Sequence, residues 1–268
     1  MTESGQPGGN GNSVRTDIPH PARVYDYWLG GKDNFEADRS AAERALELAP
    51  QMLDYARGNR DWMVRAVRFI GAETGIRQFL DIGTGLPTSP NVHEVAQAAD
   101  PEARVVYVDN DPVVFLHAEA LMADNATTSV IRADMRDVDA VLSKAGELLD
   151  FSQPVALLFV ASLHHLEDED DPAGVVARYL AAMSPGSYLV LSHGTDEFSY
   201  DQMRQMQREA KERGAIFVPR SKDAILAMFN GRPLVEPGLV LVSYWRPDGG
   251  QPAQNADRVW AYGGVAPL

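Results

Sequence analysis

Apolar positions along the chain fall into two textures, with a change near residue 77. Before it they recur at helical spacing. Leu53, Met63, Val64, Val67 and Ile70 suit one face of a helix through QMLDYARGNRDWMVRAVRFIGAETG. Asp38 is placed to cap a shorter helix through RSAAERALEL, which Pro50 ends. After residue 77 the apolar positions close up into short continuous runs: RQFLDIG (77–83), RVVYVDND (104–111), SVIRADMRD (129–137), PVALLFVASLHHL (154–166) and SYLVLSHG (187–194). Runs of this kind suit parallel strands covered on both faces.

Helix-like stretches at 90–99, 112–123, 138–149 and 172–183 separate the runs, and Pro90, Pro112 and Pro172 each suit a first helical turn. Strands alternating with helices predict βαβ units and a parallel sheet. The C-terminal part differs. Two helices, SYDQMRQMQREAKERG and SKDAILAMFNG with Gly231 at its end, precede GLVLVSYWRP (238–247) and DRVWAYGGVAP (257–267). The connection between the last two strands is too short for a parallel crossover, so the pair is expected to be antiparallel. The fold class is therefore α/β, with a seven-stranded, mostly parallel sheet, an antiparallel terminal hairpin and helices on both faces.

Composition narrows the functional classes. A chain of 268 residues can bury a sizeable core unaided. It has no Cys, which removes disulfides, thiolate metal sites and a cysteine nucleophile. The net charge of −14 disfavours nucleic acid, whose phosphates call for Lys and Arg. No apolar run approaches the roughly 20 residues that span a bilayer. Residues 1–18 read as a disordered tail without the order of a signal peptide, so a cytoplasmic setting is expected. The expected organisation is tail 1–18, helical cap or lid 19–75, and a ligand-binding domain 76–268.

Candidate chemistry gathers at the ends of the strands. In FLDIGTGLPTSPN, Gly83 and Gly85 flank Thr84 and let the backbone approach a ligand that a Cβ would exclude. A dinucleotide loop has a third glycine where this chain has Thr88, and Asp81 would face the pyrophosphate. An adenosyl ligand without phosphates, carrying an ammonium and a sulfonium, suits Asp81 better. Asp109, followed by Asn110, can accept from both hydroxyls of a ribose. Asp134 can accept from an adenine amino group, with the Met135 N–H serving the ring. Ligands in open α/β sheets bind at these strand ends.

These residues resemble the class I S-adenosylmethionine-dependent methyltransferases. ARVYDYWLGGKDNFEADR, FLDIGTGLPT and PGLVLVSYWRP further resemble the actinobacterial S-adenosyl methyltransferase family, long catalogued as a domain of unknown function. The similarity runs over residues 17–268. It implies a Rossmann-like methyltransferase fold and S-adenosylmethionine as cofactor. Pro87 departs from members with a third glycine in the loop. The resemblance leaves the methyl acceptor open; the acidic charge favours a small molecule.

In that setting Tyr25, Tyr27 and Trp28 are expected to close a lid over the sulfonium, which aromatic faces attract. Gly30 and Gly31 permit a hinge or a close approach. Lys32, Asn34, Asp38 and Arg39 are expected to pair with one another or with the cofactor's amino-acid end. Ala161 and Ser162 are expected to line the cofactor. His164 or His165, after the fourth strand, is the candidate general base, with His193 and Asp196 as second candidates. Glu167 and Asp168 lie in a solvated acidic run, so no metal is expected. Two other classes stay in view: a module that binds S-adenosylmethionine and regulates a partner without turnover, and an NAD-dependent oxidoreductase.

Overall fold

Seven strands form one sheet in the order β3-β2-β1-β4-β5-β7-β6. In chain order they are β1 (Gln78–Ile82), β2 (Arg104–Asp109), β3 (Thr128–Arg132), β4 (Ala156–Val160), β5 (Tyr188–Gly194), β6 (Val240–Leu241) and β7 (Ala261–Pro267). The first five pair in parallel, and β7 runs antiparallel to both β5 and β6. The α/β class, the parallel majority and the antiparallel terminal pair all agree with the sequence reading. These are features of a computed structural model that describes residues 14–122, 125–252 and 254–268. The expected tail is outside the described residues as far as 13, as are Ala123, Asp124 and Ala253.

Alternation along the strands divides the core in two. Phe79, Val105, Leu158 and Val190 face one side of the sheet, where they meet helices α3 (Met52–Phe69) and α4 (Val92–Ala99) and the rings of Trp62 and Trp245. Leu80, Val106, Leu157 and Leu189 face the other side, with Val141, Val176 and Tyr179 from the helices there. Each such side chain, fully buried, contributes about 1.5–3 kcal/mol. The remaining helices are α1 (Pro21–Trp28), α2 (Glu36–Leu48), α5 (Pro112–Met122), α6 (Val138–Ala145), α7 (Pro172–Leu180), α8 (Tyr200–Glu212) and α9 (Lys222–Ala227).

Several boundaries differ from the expectation, each for a local reason. The helix expected from Pro90 begins at Val92, because Asn91 is its cap and the Glu94 carboxylate accepts from the Asn91 N–H. Asp38 is not the first cap of α2. It sits one turn inside and reaches back, accepting from the Phe35 N–H at 2.8 Å and the His20 N–H at 2.8 Å. The strand expected over 238–247 holds only two residues. Beyond it, Arg65 of α3 donates to the carbonyls of Val242 (2.7 Å) and Trp245 (3.1 Å), which draws that segment off the ladder. On α3 the buried stripe runs Met52, Tyr55, Ala56, Asn59, Trp62, Met63, Ala66, Val67, whereas Leu53 and Val64 lie on its half-buried flank. Residues 14–18, grouped by sequence with the tail, include Val14, packed near Leu86, and Ile18, which borders the large cavity described next.

Candidate functional site

The strand order reverses between β1 and β4, and a cavity of about 400 Å³ opens there at the strands' C-terminal ends. Its floor is the glycine loop. Gly83 (φ +75°) and Gly85 (φ +68°) both adopt left-handed conformations. The N–H groups of Gly83 and Thr84 donate to the Val108 carbonyl at 2.7 and 3.1 Å, folding the loop back on β2. A Cβ at Gly83 would stand 2.5 Å from the Cβ of Ser162, so this glycine lets the end of β4 cross the loop. A Cβ at Gly85 would meet only Ala22 of α1, at 3.9 Å, across the cavity.

All three acids of the sequence reading line this cavity, with Thr84, Asn110, Met135, Ala161 and Ser162. They are not in equivalent environments. Asp81 is buried, and desolvation pushes its carboxyl up to about 6 against a Thr84 hydrogen bond and the Arg60 charge. Asp109 is also raised by burial, with the nearby His20 opposing. Its two oxygens accept the N–H groups of Gly85 and Asp111, each at 2.9 Å, which leaves lone pairs for a ligand. Asp134 is held low by its hydrogen bond with Arg136, whose guanidinium grips both carboxylate oxygens at 2.9 and 2.6 Å. Ala161, at the end of β4, has φ +53°, a conformation costly for a residue with a Cβ.

Helix α1 roofs the cavity, but its rings do not act together. Tyr25 lines the cavity, and its hydroxyl donates to the Ala56 carbonyl at 2.8 Å. Tyr27 lies outside it, donating to Glu43 on the outer side at 2.9 Å. Trp28 lines a second, smaller cavity. Asn34 also lies outside the large cavity. Its amide donates to Asp26 at 2.9 Å, and Asp26 accepts the Asp33 N–H as well. A Cβ at Gly31 would collide with that carboxylate. The polar string after Tyr25 thus folds on itself around Asp26, with Gly31 against the carboxylate and Gly30 at φ +83° in the turn before it.

The histidines separate in the same way. His165 borders both cavities, and its Nδ1 donates to the Ile216 carbonyl at 2.8 Å. Burial lowers its pKa to about 4, so the ring is neutral at pH 7. His164 borders only the smaller cavity and is held well below the usual range, again by burial. His193 is interior. Its Nδ1 bonds the Gly194 carbonyl and its Nε2 accepts from Arg220 at 3.0 Å. Asp196 is engaged by Arg204 at 2.7 Å. Glu167 pairs with Lys211 and Asp168 with Arg220.

With this geometry in hand, a sequence model described as S-adenosyl methyltransferase matches residues 8–268. The chain belongs to that family. Its cofactor is accordingly S-adenosylmethionine. Solved structures agree with this methyltransferase closely. A DUF574 family protein from Streptomyces avermitilis is 43% identical over 94% of this chain and 99% of its own, with a TM-score of 0.89. A candidate methyltransferase from Thermobifida fusca is 41% identical over 94% and 95%, with a TM-score of 0.87. No curated protein matches. No described helix of the methyltransferase is long and apolar enough to cross a membrane.

The sequence reading did not single out several polar residues of the methyltransferase's cavity, among them His20, Arg23, Asn59 and Arg60. Arg23 is 3% exposed and stands between Asp38 (3.5 Å) and Asp111 (3.4 Å), while His20 Nδ1 lies 3.0 Å from Asp111. This cluster ties the start of α1 to α2 and to the end of β2. Arg60 donates to the carbonyls of Thr88 and Pro90 and so clamps the glycine loop to α3. Only Asn59 left a signal, as a polar residue inside an apolar helical stripe. The others depend on contacts between distant segments.

Proposed function

We propose that this methyltransferase binds S-adenosylmethionine across the ends of β1 to β4, beneath α1, and methylates a small-molecule acceptor. The observation that carries the reading is Asp81. A buried carboxylate in the wall of the cavity, with its pKa pushed up to about 6, calls for a cation, and the ammonium of the cofactor's amino-acid end supplies one. Asp109 would hold the ribose hydroxyls. Asp134 and the Met135 N–H would hold the adenine. Gly83, Thr84 and Gly85 would let backbone approach the ligand, and Tyr25 would close the sulfonium side. The cofactor, when bound, would supply an electrophilic methyl group on a sulfonium, leaving as a neutral thioether once the acceptor had taken the methyl.

The protein's own part is alignment and exclusion of water. Of the cap expected over 19–75, only segment 19–48 serves as the lid in this reading, because α3 packs on the sheet as part of the core; Tyr27 and Asn34 act only within that segment. The net charge of −14 favours a small acceptor over nucleic acid, with the cytoplasm as the working compartment. Calorimetric titration with S-adenosylmethionine, S-adenosylhomocysteine and NAD tests the site. Both sulfur ligands should bind the parent, and NAD should not. Asp109→Ala should weaken them by about tenfold or more, the loss of hydrogen bonds to a charged acceptor. Equal affinity in parent and variant would remove Asp109 from the site.

A further inference from the structure

An ion-pair chain runs from Asp170 through Arg136 to Asp134 and ends in the wall of the large cavity. The Arg136 Nε and backbone N–H both donate to Asp134 Oδ1, each at 2.9 Å, and Nη2 donates to Oδ2 at 2.6 Å. On its far side Arg136 Nη1 donates to Asp170 Oδ1 at 2.8 Å. Asp170 is itself fixed, because its Oδ2 accepts the Glu167 N–H at 2.9 Å. The acidic run EDEDDP, placed in solvent by the sequence, thus reaches back to the cavity through one guanidinium.

A carboxylate offers about four lone-pair positions, shared between its two oxygens. On Asp134 both positions of Oδ1 are filled by Arg136, and so is one of Oδ2. A single position on Oδ2 remains. The Asp134 side chain keeps 28% of its surface exposed, so a ligand in the cavity can reach it. The fork also fixes the plane of the carboxylate, since Nε and Nη2 hold one oxygen each. Beside it, the Met135 N–H has no partner among the described residues, while the Met135 carbonyl accepts from Tyr179 Oη at 3.0 Å. The turn therefore presents a fixed acceptor next to a free donor. A 6-aminopurine offers the matching pair along one edge, where its amino group donates and the adjacent ring nitrogen accepts.

We propose that Arg136 is a positioning residue for the cofactor's adenine: held from behind by Asp170, it fixes the Asp134 carboxylate so that Oδ2 keeps one open position for the 6-amino group. This rests on the cofactor site argued above and adds what makes that site select a 6-aminopurine. Without the fork, the carboxylate of a partly exposed side chain turns and takes up water, and a ligand has to order it again on binding. Lys at this position keeps the charge but is a point donor and cannot hold both oxygens in one plane. Arg136 is half-exposed, and ion pairs of that kind add little to stability. Its effect is on which purine binds, not on whether the chain folds.

The test is calorimetric titration of the full chain with S-adenosylhomocysteine and with its analogue that carries hydrogen in place of the 6-amino group. The parent should bind S-adenosylhomocysteine about tenfold more tightly than the analogue, the effect of one hydrogen bond to a charged acceptor. Arg136→Lys and Arg136→Met should each bring the two affinities within about threefold, by weakening S-adenosylhomocysteine and sparing the analogue, with Tm unchanged. Asp170→Ala should shift the ratio the same way. The proposal is overturned if either Arg136 variant keeps the parent's preference, or if both ligands weaken equally, as a purely structural role would give. A parent that binds the two ligands alike, or neither of them, removes Asp134 from the adenine and takes the cofactor reading above down with this one.

Discussion

The side-chain amide of Asn59 donates to the hydroxyl of Tyr25 at 3.2 Å, joining the sheet-packed helix α3 to the roof of the cavity. The same Asn59 accepts from Ser192 Oγ at 2.6 Å, and Ser192 in turn accepts the Ala161 N–H at 3.0 Å. One polar residue therefore links the roof, strand β5 and the strained end of β4. Asn59→Ala strands Ser192 and removes a donor from Tyr25, so it should destabilise by about 1–3 kcal/mol in urea unfolding. It should also weaken S-adenosylhomocysteine binding, whereas Tyr27→Ala, outside the cavity, should leave that affinity unchanged. Equal effects of the two on binding would contradict the division of the roof described above.

Asp81 links stability to ligand binding with opposite signs. Its folded pKa, about 6, lies above the ordinary carboxylate value. Above pH 6 both folded and unfolded states are ionised, and the folded state bears the burial cost in full. As pH falls from about 6 to 4 that cost is relieved. Asp81→Asn should therefore stabilise the unliganded protein at pH 7 by on the order of 2 kcal/mol, while weakening cofactor binding. Thermal unfolding at pH 7, with and without S-adenosylhomocysteine, reads both effects.

The histidine cluster works in the other direction. His165 is lowered to about 4 and His193 to about 3, both by burial, and His164 shifts the same way. Below the unfolded pKa near 6.5 the unfolded chain takes up protons that the folded chain refuses. Stability should fall as pH drops from about 6.5 to 4. His193→Gln should flatten that dependence, and a profile of Tm against pH shows whether it does.

Gly83 and Gly85 share a left-handed backbone but should respond differently to alanine. Gly85→Ala incurs the left-handed penalty of about 1–2 kcal/mol. Gly83→Ala adds a collision with Ser162, and overpacking costs a further 1–3 kcal/mol, roughly. Denaturant midpoints should order as parent, Gly85→Ala, Gly83→Ala. Adding Ser162→Gly should recover part of the Gly83→Ala loss.

Arg23 is enclosed by two carboxylates. Removing it as Arg23→Met takes the guanidinium from between Asp38 and Asp111 and leaves only His20 beside Asp111, at a cost of about 3–5 kcal/mol. The start of α1 should loosen first, read as faster amide exchange over residues 20–28 than over β1.

Sequence alone determined the sheet class, the antiparallel end, the glycine loop and the three acids at the strand ends. Those features are local: continuous apolar runs, turn residues and carboxylates next to the strands that place them. Tertiary structure decided which groups meet. Tyr25 and Tyr27 are two positions apart on one helix and so point in different directions, one to the cavity and one to Glu43. His164 and His165 are adjacent, yet a single 3-10 turn gives His165 a place on the large cavity and His164 none. Strand β6, the last but one, is short because Arg65, far away in the chain, takes the carbonyls beyond it. Periodicity records which side of an element is buried; it carries no information about which distant side chain lies opposite.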